Sequence, residues 1–128
     1  MKRVTGIGGI FFKGQNASAL REWYAKHLGI QADGDSGYIF EWRDSQQPEK
    51  TGQTVWSIFE GHTKYFEPST APFMINYRVA DLDAVVEALR AEGVTIEKVQ
   101  DGGEYGKFGW LMDPEGNRIE LWQPPEGD

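Results

Sequence analysis

An apolar strand followed by a capped helix occurs twice in this chain, and the two copies keep step. Gly29 and Gly93, where the helices stop, lie 64 positions apart, and Gly14 and Val79, where the preceding strands end, lie 65 apart. In the first copy, residues 4–13 read as a strand, Asn16 as a helix cap, and Ala17, Leu20, Tyr24 and Leu28 as one apolar stripe closed by Gly29. In the second, 73–79 read as a strand, Asp81 as the cap, and Leu82, Val85, Val86 and Leu89 as the buried face, closing at Gly93. Strand-like runs follow at 38–42 and 53–59, and again at 95–99, 105–112 and 117–122. The polar stretch 43–52 is expected as an exposed hairpin loop, and 100–104 as a flexible one. The order read from this is strand, helix, three strands, stated twice: an α+β chain of duplicated βαβββ modules. At 128 residues it is expected to be one domain, residues 1–128, with module 1 at about 4–60 and module 2 at about 72–124. Between them, 62–72 is irregular, carries Tyr65 and Phe66, and is bounded by Pro68 and Pro72, as a linker that also packs on something.

The last strand pair carries the chemistry. Asp113, Pro114 and Gly116 supply what a type I turn asks for: a side-chain acceptor, a pre-set φ, and tolerance of positive φ. On the returning strand, alternation sends Arg118, Glu120 and Trp122 to one face and Ile119 and Leu121 to the other. A carboxylate and an indole therefore share a face. If that face lines a cavity, Glu120 is the acid of most interest in the protein.

Charge and composition remove whole classes of function. With 13 basic against 20 acidic residues the formal net charge is −7, which repels polyanions and leaves no basic stripe for nucleic acid or anionic membrane. Without cysteine there is no disulfide framework, thiolate nucleophile or thiolate metal site. The run Ile10-Phe11-Phe12 is too short for a signal-peptide core, and nothing approaches the roughly 20 apolar residues a membrane span needs. A cytoplasmic location is the expectation. Gly6-Ile7-Gly8-Gly9 does not join a strand to a helix, so it is read as a place of close backbone approach, not a phosphate loop. His27 is read as a surface residue at a helix edge.

The duplicated order and the Asp-Pro-x-Gly-Asn turn leading into Ile119-Glu120-Leu121-Trp122 resemble the vicinal oxygen chelate superfamily: glyoxalase I, bleomycin-resistance proteins, fosfomycin-resistance enzymes and extradiol dioxygenases. The resemblance runs from Val4 to Pro124. It implies a mixed sheet curled around a cavity, the glyoxalase/bleomycin-resistance/dioxygenase fold, and a homodimer. In metal-using members it implies ligands on each module's opening strand, one on the fourth strand, and a carboxylate seven residues after the Asp of the final turn. Glu120 matches that carboxylate. Aligning the opening strands through their helices puts Gly9 and Met74 at the next two positions and Trp56 near the fourth. Glycine offers no ligand and a thioether is a poor one for a hard or borderline ion. A site rebuilt from Glu41, Glu60, His62 and Glu120, holding zinc, nickel, manganese or iron, is the alternative.

Five tryptophans, at 23, 42, 56, 110 and 122, are more than a core of this size needs, and four of them fall in strands. An indole offers a large apolar face and one N–H, which suits planar, partly polar ligands. The reading adopted is a metal-independent protein, without a cofactor, that binds a small aromatic molecule, the candidate ligand-binding residues being Trp42, Trp56, Asn76, Trp110, Arg118, Glu120 and Trp122. The alternatives are a glyoxalase-like lyase or isomerase, or a dioxygenase-type enzyme, with Glu120 catalytic, with or without a divalent metal, and a non-catalytic accessory module.

Overall fold

Asn16 and Asp81 cap the two helices from the positions the sequence assigns them. The Asn16 side chain accepts from the Ala19 N–H at 3.1 Å, opening α1 (Ala17–Leu28), and Asp81 accepts from the Ala84 N–H at 3.1 Å, opening α2 (Leu82–Ala91). The first helix stops at Gly29, whose φ of 71° lets the Gly29 and Ile30 N–H groups turn back onto the carbonyls of Ala25 and Tyr24. The second is capped at Glu92, one residue before Gly93. The Gln123 side-chain oxygen accepts from the Leu82 N–H at 2.9 Å and ties the start of α2 to the last strand. Replacing Asp81 by alanine orphans one helix N–H and is expected to cost about 1 kcal/mol, read as a fall of roughly 4 °C in thermal denaturation.

The computed structural model describes residues 3–32 and 37–126. Its strands are β1 (Val4–Gly14), β2 (Tyr38–Arg43), β3 (Thr51–Glu60), β4 (Phe73–Val79), β5 (Ile96–Asp101), β6 (Lys107–Met112) and β7 (Arg118–Gln123). They form one open mixed sheet in the order β2-β3-β1-β4-β7-β6-β5. The pairs β1/β3 and β4/β7 are parallel, and β1/β4 runs antiparallel down the middle, so the two halves of the chain meet at that ladder. This is the α+β arrangement expected. Among the described residues two strands follow α1 where three follow α2; residues 33–36, in the stretch corresponding to β5, lie outside them.

Three local readings change. The 43–52 stretch is a loop only over 44–50, because Arg43, Thr51 and the buried Gly52 pair in the β2/β3 ladder. Residues 100–104 are not a loop throughout, because Gln100 and Asp101 extend β5 by pairing with Phe108 and Lys107, and a 3-10 turn, Gly103–Tyr105, follows. That turn shortens β6, which starts at Lys107 rather than 105. The 113–117 turn forms as read: Asp113 Oδ1 accepts the N–H groups of Glu115 and Asn117, and Gly116 has φ of 83°. The Asn117 backbone N–H, and then its side chain, hold the Asp113 carboxyl below its ordinary value. Such a group supports the fold above the ordinary carboxylate pKa, and that support is lost as pH falls through the depressed value.

Register sorts the side chains by face. Trp56, Ile10, Ile75 and Ile119 lie level across four adjacent strands on the face that carries both helices. On that face α1 covers Trp56 and Ile58, and α2 covers Val79, Leu111 and Leu121. The opposite face has its own core, in which Phe66 and Met74, both fully buried, pack on Trp110 with Phe11, Phe59 and Phe108 around them. Phe66 belongs to the irregular 61–72 segment, which therefore does pack, across the sheet face that has no helix.

Candidate functional site

One row of that second face crosses five strands. Val55, Gly9, Asn76, Glu120 and Trp110 are register partners in turn, on β3, β1, β4, β7 and β6. Val55 and Gly9 lie at one end of the row and Trp110 at the other, and its polar groups converge on Glu120. Asn76 Nδ2 donates to Glu120 Oε1 at 2.6 Å and Trp110 Nε1 donates to Oε2 at 2.9 Å. The Tyr65 hydroxyl, reaching in from the 61–72 segment, donates to Oε2 as well. Glu120 and Asn76 are each only 2% exposed, so this is a buried polar knot. All three donors are neutral. Burial, and after it the Glu120 charge, pushes the Tyr65 phenol well above its ordinary value and keeps it a donor.

A cavity of about 260 Å³ opens against the knot. Asn76 and Glu120 contribute to its floor with Gly8, and Phe11, Phe108, Tyr105 and Trp122 to its walls. A bulge between Ile7 and Gly9 sets Gly8 against Asn76; a Cβ there would stand 2.2 Å from Asn76 Oδ1 and 3.0 Å from the Trp122 ring. The Phe108 ring lies nearly parallel to those of Trp122 and Trp110, with centroids 6.3 and 6.0 Å away, so three rings form a stacked ladder along β6 and β7. Trp122 is fixed in it by donating its N–H to the Tyr105 carbonyl at 2.8 Å.

The residues singled out from sequence divide three ways. Asn76, Glu120 and Trp122 come together at the cavity. Trp110 and Arg118 stand behind it: Trp110 is buried against Phe66 and Met74, while Arg118 lies over the rings of Trp110 and Tyr65, hydrogen-bonds the Tyr65 carbonyl and pairs with Glu97 at 3.4 Å. Trp56 and Trp42 stand elsewhere. Trp56 faces α1, where it packs on Tyr24 and Phe12, because it sits one residue from Val55 and alternation turns it away. Trp42 lies across Gly52 and Gly6 and holds the Arg78 guanidinium between its own ring and that of Trp122, centroids 5.5 and 5.2 Å away. This pair borders a larger cavity of about 570 Å³, whose lining includes exposed residues of the β2–β3 loop such as Gln46, Gln47 and Lys50.

The alternative metal set is not assembled. Glu60 and His62 line a groove with Arg21, Glu41 is exposed on β2, and Glu120 is in the knot. Among the described residues no group of three or more His, Asp or Glu side chains could hold an ion. At the expected ligand positions, register brings Asn76 rather than Met74, and Val55 rather than Trp56, level with Glu120 and Gly9. A hydrocarbon, a glycine and an amide whose N–H₂ group faces the carboxylate do not make a cation site, and the donors on Glu120 occupy the oxygens a metal would use. The set does not fit the metal that the fold implies.

Sequence reasoning missed Tyr65, Gly8, Phe11, Tyr105 and Phe108. Tyr65 lies in a stretch with no periodicity, so nothing local gives its direction. Phe11 and Phe108 were within reach, since alternation from Gly9 and from Trp110 puts both on the row's face.

A family model described as a glyoxalase-like domain matches residues 9–122. Methylmalonyl-CoA epimerase from Mycobacterium tuberculosis is similar in structure, with 21% identity, 98% of this chain and 91% of that chain covered, and a TM-score of 0.60. A variant of the Streptomyces coelicolor methylmalonyl-CoA epimerase, in complex with 2-nitronate-propionyl-CoA, is 18% identical, with 94% and 98% covered and a TM-score of 0.65. Catechol 2,3-dioxygenase is 22% identical over 97% of this chain and 41% of its own, with a TM-score of 0.58. At these identities the likeness is one of fold. No curated protein matches the chain in sequence. Among the described residues no helix is long and apolar enough to cross a membrane.

Proposed function

Since this chain belongs to the glyoxalase-like domain family of the vicinal oxygen chelate superfamily, its match spanning residues 9–122, we propose that it binds a small planar molecule in the cavity beside Glu120 without a metal. The observation that carries this is the set of neutral donors on Glu120. In a fold built to expose a carboxylate to an ion, both oxygens here accept hydrogen bonds from Asn76, Trp110 and Tyr65. An ion coordinated directly to either oxygen would have to displace one of these donors, and releasing it would leave a buried polar group unsatisfied, at about 1–3 kcal/mol apiece. The cavity is flanked by rings that lie parallel, and its 260 Å³ falls just below the range typical of drug-sized ligands, which favours one or two fused rings. Fold alone does not choose among the chemistries this superfamily hosts, so the reading stands on the site.

The test is metal content followed by ligand response. After equilibration with zinc, nickel, manganese or iron(II) and removal of excess, the tag-free protein is expected to retain less than about 0.1 ion per chain. The chelator-treated protein should then still change its tryptophan emission with a planar ligand, through Trp122. One ion per chain, or a response abolished by chelator and restored by metal, would overturn the proposal.

A further inference from the structure

We propose that the ligand is a planar cation bearing N–H donors, of the amidinium or protonated amino-heterocycle class; this deepens the reading above and rests on the same cavity being the binding site. The first observation is the charge of the lining. Its residues include two carboxylates, Glu104 and Glu120, and no lysine, arginine or histidine.

The second is that Glu120 has no cationic partner among the described residues. The candidates its neighbourhood offers are engaged elsewhere: Arg118 pairs with Glu97 at 3.4 Å, Lys107 with Asp83 at 3.2 Å, and the buried Arg78 guanidinium lies over the Trp42 and Trp122 rings, outside the lining. Three neutral hydrogen bonds satisfy the carboxylate's geometry without cancelling its charge. A buried charge left uncompensated is costly, and a ligand cation placed against it gains in proportion.

The third is an acceptor without a donor. Asn76 Nδ2 is fixed on Glu120, so the other side of the amide, Oδ1, is turned to Gly8 and has no hydrogen-bond partner. Gly8 offers it only a weak C–H contact. Asn76 and Gly8 both line the cavity, so one unfilled acceptor, buried under Gly8 and reached only when that contact opens, lies beside one uncompensated negative charge. Such a floor is met by a group that donates two N–H bonds from a charged plane, as an amidinium does.

The walls agree with the floor. The Trp122 ring already takes one guanidinium, that of Arg78, and Phe108 and Trp122 wall the Glu120 carboxylate off from water, which strengthens a charge pair formed there. An anion in this space would meet two carboxylates, with Arg78 set on the Trp122 ring outside the lining.

Benzamidine, benzamide and benzoate have the same shape and charges of +1, 0 and −1, and titrating each against the full chain by tryptophan fluorescence separates charge from fit. The expected order of affinity is benzamidine, benzamide, benzoate, with about thirtyfold or more between the first and last. Glu104→Gln, at an exposed position, should weaken benzamidine about threefold and leave benzamide within about twofold. Glu120→Gln, if its melting temperature stays within a few degrees of the parent, should reduce the benzamidine-to-benzoate ratio below about threefold; Glu104→Gln and the three-ligand series stand as the test if it does not fold. Benzamide or benzoate binding as tightly as benzamidine would overturn the cation assignment and leave the cavity reading intact. If none of the three binds at millimolar concentration, the cavity reading fails and this inference with it.

Discussion

Alanine at position 106 is expected to destabilise the protein by about 3 kcal/mol or more and to abolish the ligand response along with it. Gly106 has φ of 96° and ψ of −159°, a region open to glycine and costing other residues roughly 1–3 kcal/mol. Strain is only part of the effect, because a Cβ there would stand 2.2 Å from the Gln123 carbonyl oxygen and 3.1 Å from Trp122 Nε1. The first neighbour is backbone and cannot swing aside. β6 and β7 would have to separate where Lys107 pairs with Gln123, and the Trp122 indole would lose its seat on the Tyr105 carbonyl. The melting temperature should fall by roughly 10 °C. Gly103→Ala is the control: its φ of 62° is also left-handed, but a Cβ there meets nothing within 4 Å, so a loss near 1 kcal/mol is expected. Equal losses at the two positions would mean that the contact with β7 does not matter.

Phe66→Ala should cost about 3–5 kcal/mol, from a side chain with no exposed surface. Its ring packs on Met74 and Trp110, with the Phe59 ring at 5.2 Å and the Lys13 ammonium 5.4 Å from its centre. Little of the space left behind can collapse, since the sheet lies beneath it. Against a total stability of order 5–15 kcal/mol for a domain, this variant is expected to remain folded but to melt roughly 10–15 °C lower. The functional consequence follows from chain connectivity. Phe66 anchors the segment that carries Tyr65, so its loss should loosen the hydroxyl that donates to Glu120 and weaken ligand binding several-fold under conditions where the chain is folded. Phe66→Leu, which keeps most of the volume, should cost about 1–1.5 kcal/mol and leave binding within about twofold. Binding unchanged in Phe66→Ala would show that the 61–72 segment does not hold the knot together.

Where the chain's local chemistry decides a feature, the sequence was legible. Both helix caps, the Gly29 stop, the 113–117 turn and the faces of β7 are set by residues within four positions of one another. What was not legible is what depends on partners far along the chain. Whether Trp56 or Val55 stands level with Glu120 is a question of register between β3, β1, β4 and β7, and a slip of one residue exchanges the two faces. Met74 and Asn76 differ by two residues and share a face, so alternation could not tell them apart; only the ladder with β1 and β7 sets Asn76 level with Glu120. Arg118 shares a strand face with Glu120 and yet pairs with Glu97, and Lys107 pairs with Asp83; which acid a cation meets is again set across strands. Tyr65 was out of reach altogether, being placed by Phe66 beside it and not by any repeating pattern.

The knot on Glu120 takes all its members, Tyr65, Asn76, Trp110 and Glu120 itself, from the stretch after residue 60, whereas residues before it give the cavity Gly8, Phe11, Gln53 and Val55. The first half of the chain thus supplies mould alone, whereas the second supplies the electrode and the rest of the mould. Substitutions in the mould can alter the outline a ligand must match without disturbing the charge it meets, so two descendants of this chain could diverge in the shape they accept while keeping the same polarity at the bottom of the well.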